Sequence, residues 1–361
     1  MESRLAMPFV WSDRHRMHDP AGEVWVGIRI AGTEVPERGE VINTALSDAG
    51  APFVEVQDHG IGPLERVHST ELLAYLQSAY QGWLSAGLDR DPGQDRVVPY
   101  VFPLPQLMGG RELRTPVAPS ALAGRFTMDT TTLIGPGTYE AVRSAADAAL
   151  TATDLVLDGK PAAYAACRPP GHHAGTNFFG GSCYLNNTAI AAQALRDGGV
   201  DSVAVVDLDA HHGNGTQQIF YERSDVFYGS VHADPGAGNF PHFVGYQDEQ
   251  GDGSGRGFNR NIPLPSDAGT SSWLDALSAL LDDVAGRRPG AVVVSLGLDA
   301  WVDDPEGPLL VDAGGFSVAG EWFATLGVPV VFVQEGGYDL GQLGRLVVTV
   351  LAGFERGRSA P

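Results

Sequence analysis

The stretch Ser202-Val-Ala-Val-Val-Asp207-Leu-Asp209-Ala-His211-His212-Gly-Asn214-Gly215 decides how the rest of the chain is read. Its first half is a β-branched apolar run, which reads as a short strand covered on both faces. Its second half turns abruptly to carboxylates and imidazoles, so reactive side chains follow directly on a buried strand. The same succession recurs. Ala162–Cys167 leads into Arg168-Pro-Pro-Gly-His172-His173, Ala291–Leu296 into Gly-Leu-Asp299, and Val328–Val333 into Gln-Glu335-Gly-Gly-Tyr338. Val226–Ser230 is a further strand. Helical periodicity falls between these runs, at Thr138–Leu157, Asn186–Arg196, Ser271–Ala285, Phe316–Leu326 and Gly341–Phe354. Short apolar strands alternating with such helices predict a doubly wound, mainly parallel α/β sheet flanked by helices. In such sheets the active site lies at the carboxyl ends of the strands.

The first 136 residues are less regular, with helices expected at Pro36–Ala49 and Ser69–Ala86. From Asp89 to Pro136 the chain is rich in proline and glycine and too long for an ordinary connection, which marks a functional or interface loop rather than a second domain. The 47 glycines and 24 prolines punctuate apolar runs without a period, so no repeat is present. The expectation is one domain over residues 1–361 with a long inserted loop at 89–136.

Charge narrows the function. There are 23 basic against 44 acidic residues, a net of −21, and Lys160 is the one lysine. Without a basic cluster the chain lacks the footprint for nucleic-acid or anionic-membrane binding. Lys160 stands in Asp-Gly-Lys-Pro, outside any phosphate-binding loop pattern. Residues 201–320 carry 18 acidic and 5 basic residues, which reads either as an ordinary solvated surface or as a site that holds or attracts cations. Two cysteines, Cys167 and Cys183, are too few for a disulfide framework and suit a reducing compartment. The start MESRLAMPFVWSDRH has no basic segment followed by an apolar one, and no window approaches 18 apolar residues. A cytoplasmic protein is expected.

Asp207, Asp209 and His211 are spaced two apart, so a strand continuing through them would aim all three at one face. Carboxylate and imidazole suit a divalent ion such as zinc, and three protein ligands with an open position make a catalytic site. Asp299, at the end of another strand, supplies the natural third ligand beside Asp209 and His211, leaving Asp207 to orient a neighbouring histidine. Imidazoles at His172 and His173 are general-base candidates. The Tyr338 hydroxyl, presented by two glycines, can donate to a developing oxyanion.

Together RPPGHHA (168–174), GGSCYLNN (180–187), VDLDAHHGNGTQ (206–217), SLGLDA (295–300) and EGGYD (335–339) resemble the zinc-dependent histone deacetylase superfamily. HHGNG and the segment Tyr100-Val-Phe-Pro-Leu-Pro105 are similar to its bacterial acetylpolyamine amidohydrolase and class II branch. The resemblance implies the arginase–deacetylase fold, one zinc on Asp209, His211 and Asp299, and hydrolysis of an acylated amine. It implies that Tyr338 polarises the acyl carbonyl and that His173 takes a proton from the attacking water, with Asp207 paired to His172 and Asn214 to His173. A structural K+ or Na+ would sit beside Asp207, Asp209, His211 and Ser230. Phe240 corresponds to one wall of the acyl tunnel and Gly181 to a backbone contact with substrate. The family commonly carries an aromatic second wall where this chain has Ser182, so either another side chain fills that space or the substrate is bulkier than an acetylpolyamine. Cys183 reads as packing. The inserted loop resembles one that builds a homodimer interface.

The reading is therefore a zinc-dependent deacetylase acting on a small acylated amine such as an acetylpolyamine. An acylated natural-product intermediate or acyl-lysine in a protein is the alternative substrate. An arginase-type ureohydrolase would need two manganese ions and further carboxylates, whereas here Asp303 and Asp304 are displaced from Asp299. A non-catalytic binding module would have lost a ligand, a histidine or the tyrosine.

Overall fold

Ten short strands carry the fold in the computed structural model, which describes residues 4–359; Met1–Ser3, at the head of the N-terminal stretch discussed above, and Ala360–Pro361 lie outside the described residues. In chain order the strands are β1 (Phe9–Trp11), β2 (Glu23–Trp25), β3 (Ile28–Ile30), β4 (Phe53–Glu55), β5 (Ala162–Ala165), β6 (Val203–Asp207), β7 (Val226–Ala233), β8 (Asn259–Leu264), β9 (Ala291–Leu296) and β10 (Val330–Gln334). Eight form one sheet in the order β4-β1-β5-β10-β9-β6-β7-β8, with every neighbouring pair parallel. β2 and β3 form a separate antiparallel hairpin.

Both faces of the sheet are buried, which is why its central strands are continuously apolar. Successive side chains alternate between two cores. Tyr164, Val206, Val294 and Phe332 enter one, and Ala165, Val205, Val293 and Val331 the other. Helices Glu37–Asp48, Ala313–Thr325 and Leu343–Ser359 contribute Leu46, Phe316 and Leu351 to the first; Thr70–Ser85, Thr138–Leu157 and Asn187–Asp197 contribute Leu76, Leu150 and Leu195 to the second. Among the described residues no helix is long and apolar enough to cross a membrane.

Strand order explains the convergence of motifs. The four strands that run into reactive sequence, β5, β10, β9 and β6, are adjacent at the middle of the sheet. Their ends are in step: Asp207 pairs with Ser295 and Ser230, and Val333 with Ser295 and Ala165.

Several expectations are corrected. β6 stops at Asp207, so period-2 alternation does not gather Asp209 and His211; they lie on the loop that follows. β7 runs three residues past Ser230. β8 escaped notice because Asn259-Arg-Asn-Ile-Pro-Leu264 begins with three polar residues and contains a proline, which an edge strand tolerates. Within the 89–136 segment lie helices Pro105–Met108 and Pro119–Phe126, and Val97 bridges to Ile134.

Candidate metal and catalytic site

Asp209 and His211 follow β6, and Asp299 follows β9, its immediate neighbour in the sheet. One potential ligand atom from each lies within 4.8 Å of the other two. His211 Nδ1 is 3.2 Å from Asp209 Oδ1 and 3.1 Å from Asp299 Oδ2. Both carboxylates are fully buried, yet neither has an arginine or lysine partner among the described residues. Burial and the neighbouring Asp209 push Asp299 up, whereas the positive fields of His172 and His211 hold Asp209 low against its own burial. Two buried anions round one imidazole are short of positive charge, and a divalent cation with oxygen and nitrogen ligands supplies it. The donor set therefore fits zinc. Gly336 is required beside it, because a Cβ there would collide with the Asp209 and Asp299 carboxylates.

Asp207, the last residue of β6, is fully buried. Its Oδ2 lies 3.1 Å from His172 Nδ1 and accepts from the Tyr228 hydroxyl at 3.2 Å, and its Oδ1 accepts from Asp209 N. Ser230 closes the same corner, its hydroxyl 2.8 Å from His232 Nδ1. His173 Nδ1 is 2.7 Å from Asn214 Oδ1, so that nitrogen carries the proton and Nε2 keeps its lone pair. The two imidazoles stand 4.0 Å apart between centroids. Burial alone would lower both, but Asp209 and Asp207 raise His172 to about 10. His173 is driven well down by burial and by the adjacent His172 and His211. The backbone of this pair is anchored by Glu335, whose Oε2 accepts from Gly171 N at 2.6 Å and His172 N at 3.0 Å.

Tyr338 is half-buried, with burial holding its phenol protonated well above the ordinary value. The Arg38 guanidinium lies 4.6 Å from its ring centroid and donates to the carbonyls of Gly337 and Glu335. Cys183 is buried near His172 and Glu335. Burial and the Glu335 carboxyl push its thiol up, so it stays a neutral packing group.

A cavity of about 340 Å³ opens onto this centre. His173, His211 and Tyr338 line its base, with Gly181, Ser182 and Phe240 on its walls. The Phe240 and His173 rings meet edge to face, 4.8 Å between centroids. Gly181 has φ +57°, and a Cβ there would press on His173 and Phe240, so a glycine is needed where the wall meets the base. Of the histidine pair, His173 lines the cavity and His172 does not.

Sequence reasoning missed the mouth. Glu23 and Trp25 of β2, Thr33, and Glu306 beyond Asp299 also line the cavity. Trp25 supplies an aromatic face to the cavity in which Ser182 stands where the family has one. Burial and the nearby Glu306 and Asp129 push Glu23 up to about 7. Glu306 was visible only as one more acid in Asp303-Asp-Pro-Glu306; nothing local tied the hairpin to it across the fold. Asp304 lies outside the Asp209, His211 and Asp299 cluster and holds backbone amides instead.

Known proteins align with this arrangement. The histone deacetylase domain profile matches residues 33–354. Acetylpolyamine amidohydrolase 1 of Pseudomonas aeruginosa is 40% identical over 352 residues, covering 96% of this chain and 98% of that protein. Acetylpolyamine amidohydrolase of Mycoplana ramosa is 38% identical over 348 residues, covering 96% and 99%. The crystal structure of acetylpolyamine aminohydrolase from Burkholderia pseudomallei superposes with a TM-score of 0.90 at 37% identity, over 98% of this chain and 99% of that one. Two buried carboxylates and a part-buried imidazole just beyond two central parallel strands, a histidine pair beside them and homology along nearly the whole chain lead to one assignment: this chain belongs to the histone deacetylase family, on the branch that these bacterial enzymes represent.

Proposed function

We propose that this protein is a zinc-dependent amidohydrolase that removes the acetyl group from acetylpolyamines. The observation that carries the reading is an acidic mouth above a neutral, hydrogen-bonding base. Glu23 and Glu306 stand where a cationic amine enters, and Tyr338 and His173 stand where its amide would lie. A cleft lined by one sign of charge concentrates the opposite ion. The names of the relatives agree with this chemistry.

Zinc held by Asp209, His211 and Asp299 would supply a Lewis acid that polarises the carbonyl and makes water nucleophilic at neutral pH. The Tyr338 phenol donates a hydrogen bond to the carbonyl oxygen and follows it as it becomes an oxyanion. His173 Nε2 accepts the proton of the attacking water, its Nδ1–H fixed by Asn214. The same imidazolium returns that proton to the amine nitrogen as the C–N bond breaks, leaving acetate and free amine. His172, backed by Asp207, places a positive field behind His173 without reaching substrate. Phe240 and Trp25 flank the methylene chain. A monovalent cation beside Asp207 and Ser230, next to the metal ligands Asp209 and His211, completes the proposal for the buried corner.

Two copies are proposed to associate through apolar surface exposed beside the mouth. Trp25, Val26 and Ile28 of the hairpin are 61%, 75% and 67% exposed, and Tyr100, Leu107 and Val117 of the inserted loop 75%, 67% and 96%. The Arg29–Asp95 ion pair sets hairpin and loop side by side. Both cysteines are free and buried, which suits the cytoplasm.

The test is hydrolysis of acetylputrescine, acetylspermidine and an acetyl-lysine peptide by the zinc-loaded protein, with Asp209→Asn as control. Turnover of the polyamines, lost together with bound zinc in Asp209→Asn, is expected. Preference for the peptide would overturn the substrate, and a metal-free variant that still turns over would overturn the mechanism. A 38 kDa species in sedimentation at micromolar concentration would refute the dimer.

A further inference from the structure

Asp304 has no part in the chemistry above, yet it is a carboxylate only 8% exposed. Among the described residues it makes no salt bridge with arginine, lysine or histidine. Its two oxygens are taken up instead by backbone donors from two separate segments. Oδ2 accepts from Tyr338 N at 2.7 Å and from Asp339 N at 3.1 Å. Oδ1 accepts from Glu306 N at 3.0 Å. A buried carboxylate is costly without compensation, and charge-assisted bonds from backbone N–H groups are among the stronger ones available.

What the two segments carry gives this arrangement meaning. One presents Tyr338, which follows the Glu335 and Gly337 carbonyls held by Arg38 and whose amide is held by Asp304. The other presents Glu306, whose side chain accepts from the Thr33 hydroxyl at 2.9 Å and which lines the mouth. The turn between Asp299 and Glu306 is closed by Asp304 N donating to Trp301 O, and Trp301 Nε1 donates in turn to the Asp339 carboxylate. The segments that carry the mouth acid and the oxyanion donor thus meet at one side chain.

We propose that Asp304 is a positioning residue that ties the oxyanion donor Tyr338 to the mouth acid Glu306. One buried carboxylate thereby sets the distance between the point that recognises the substrate's ammonium and the point that polarises its amide. The inference rests on the proposed deacetylation for its kinetic consequence, and on the three hydrogen bonds for its structural one. Two effects follow. The hydroxyl of Tyr338 reaches the carbonyl correctly only while Asp304 holds its backbone, and discrimination among acetylated diamines of different chain length depends on the same bond set.

Asp304→Asn conserves shape but replaces one acceptor oxygen with an NH2 group that must face an N–H donor. Loss of one oxyanion donor costs about 10²–10³ in kcat, so partial misplacement of Tyr338 is expected to cost at least about tenfold. This loss should appear on an uncharged N-acetyl alkylamine, where the Glu306 charge plays no part, and the preference among acetylated diamines of three, four and five methylenes should flatten. In a Tyr338→Phe background the same substitution should cost less than about twofold, since groups acting as a unit are not additive. An equal loss in both backgrounds, or an unchanged kcat on the alkylamine, would overturn the proposal. A second measurement needs neither a variant that folds nor a known substrate. In hydrogen exchange of the wild-type protein, the Tyr338 and Glu306 amides are expected to be protected and to open together. If either exchanges as freely as an exposed loop amide, Asp304 does not hold them. Failure of the wild type to hydrolyse any acetylated amine would count against the proposed function and leave this exchange result standing.

Discussion

Replacing Gly181 with alanine tests whether the tunnel wall and the catalytic base are one packed unit. Gly181 has φ +57°, and an added Cβ would stand 2.8 Å from His173 Cγ and 2.9 Å from Phe240 Cε1. Comfortable carbon contacts lie near 3.5–4.0 Å, and His173 Cδ2 is nearer still than Cγ, so the His173 ring or the wall must give way by about 1 Å. His173 cannot yield freely, because its Nδ1 is held 2.7 Å from Asn214 Oδ1 and its other face lies against His172. The left-handed backbone adds about 1–2 kcal/mol for a residue with a Cβ. Because a misplacement of about 1 Å can cost about 100-fold, kcat/KM on acetylputrescine is expected to fall by roughly that factor. The global cost is small by comparison, with Tm lowered by only a few degrees, about what 1–2 kcal/mol brings. Bound zinc should stay at the wild-type level, since Asp209, His211 and Asp299 are not displaced. Steady-state kinetics, metal analysis and calorimetry on the same preparation separate these effects. Wild-type kcat/KM in Gly181→Ala would refute the reasoning, showing that the wall relaxes without disturbing His173.

Two further outcomes concern pH. Glu23 is pushed up to about 7 by burial, Glu306 and Asp129, so it is largely neutral below that pH and gains its charge above it. KM for a cationic acetylpolyamine is expected to fall as pH rises through 7, and Glu23→Gln should remove that inflection while KM for a neutral acetyl amide stays level in both proteins. His59 is raised to about 9 by the carboxylates of Asp147, 3.5 Å from its Nδ1, and Asp154, 2.9 Å from its Nε2, which outweigh its burial, and its backbone N–H donates to Asp147, clasping the 56–61 loop to helix Thr138–Leu157. A folded value above the ordinary 6.5 means that its stabilisation is complete below about 6.5 and is lost as pH rises through 9. Tm of the wild type should therefore decline across that window relative to His59→Gln, and parallel curves would show that the pair contributes nothing.

The reactive centre was legible because each of its residues sits at the end of an apolar run. Asp207, Asp209, His172, Asp299 and Tyr338 could be ranked by type and by their place after a strand. Asp209, His211 and Asp299 do come together as expected, but not through strand alternation, because β6 ends at Asp207 and Asp209 and His211 are placed by the loop that follows. Strand order supplied what spacing lacked, since β5, β10, β9 and β6 are scattered in sequence and adjacent in the sheet. The mouth was not legible at all. Glu23, Trp25 and Glu306 lie in short, irregular segments whose local pattern carries no sign of their common destination.

Periodicity determined the class of fold, composition carried the expectation that nucleic-acid and phosphate-loop chemistry play no part, and the motifs at strand ends supplied the residue types of the candidate hydrolytic centre. These follow from local regularities, the buried strand's apolar run and the affinity of carboxylate and imidazole for a divalent ion. Only the tertiary structure decided which histidine faces the cavity, which aromatic residues line it beside Ser182, and which acidic residues stand at it. Those are questions of distance between segments far apart in the chain, and the interactions that answer them, packing against Phe240, the field between Glu23 and Glu306, and the grip of Asp304, act across space and leave no local pattern in the sequence.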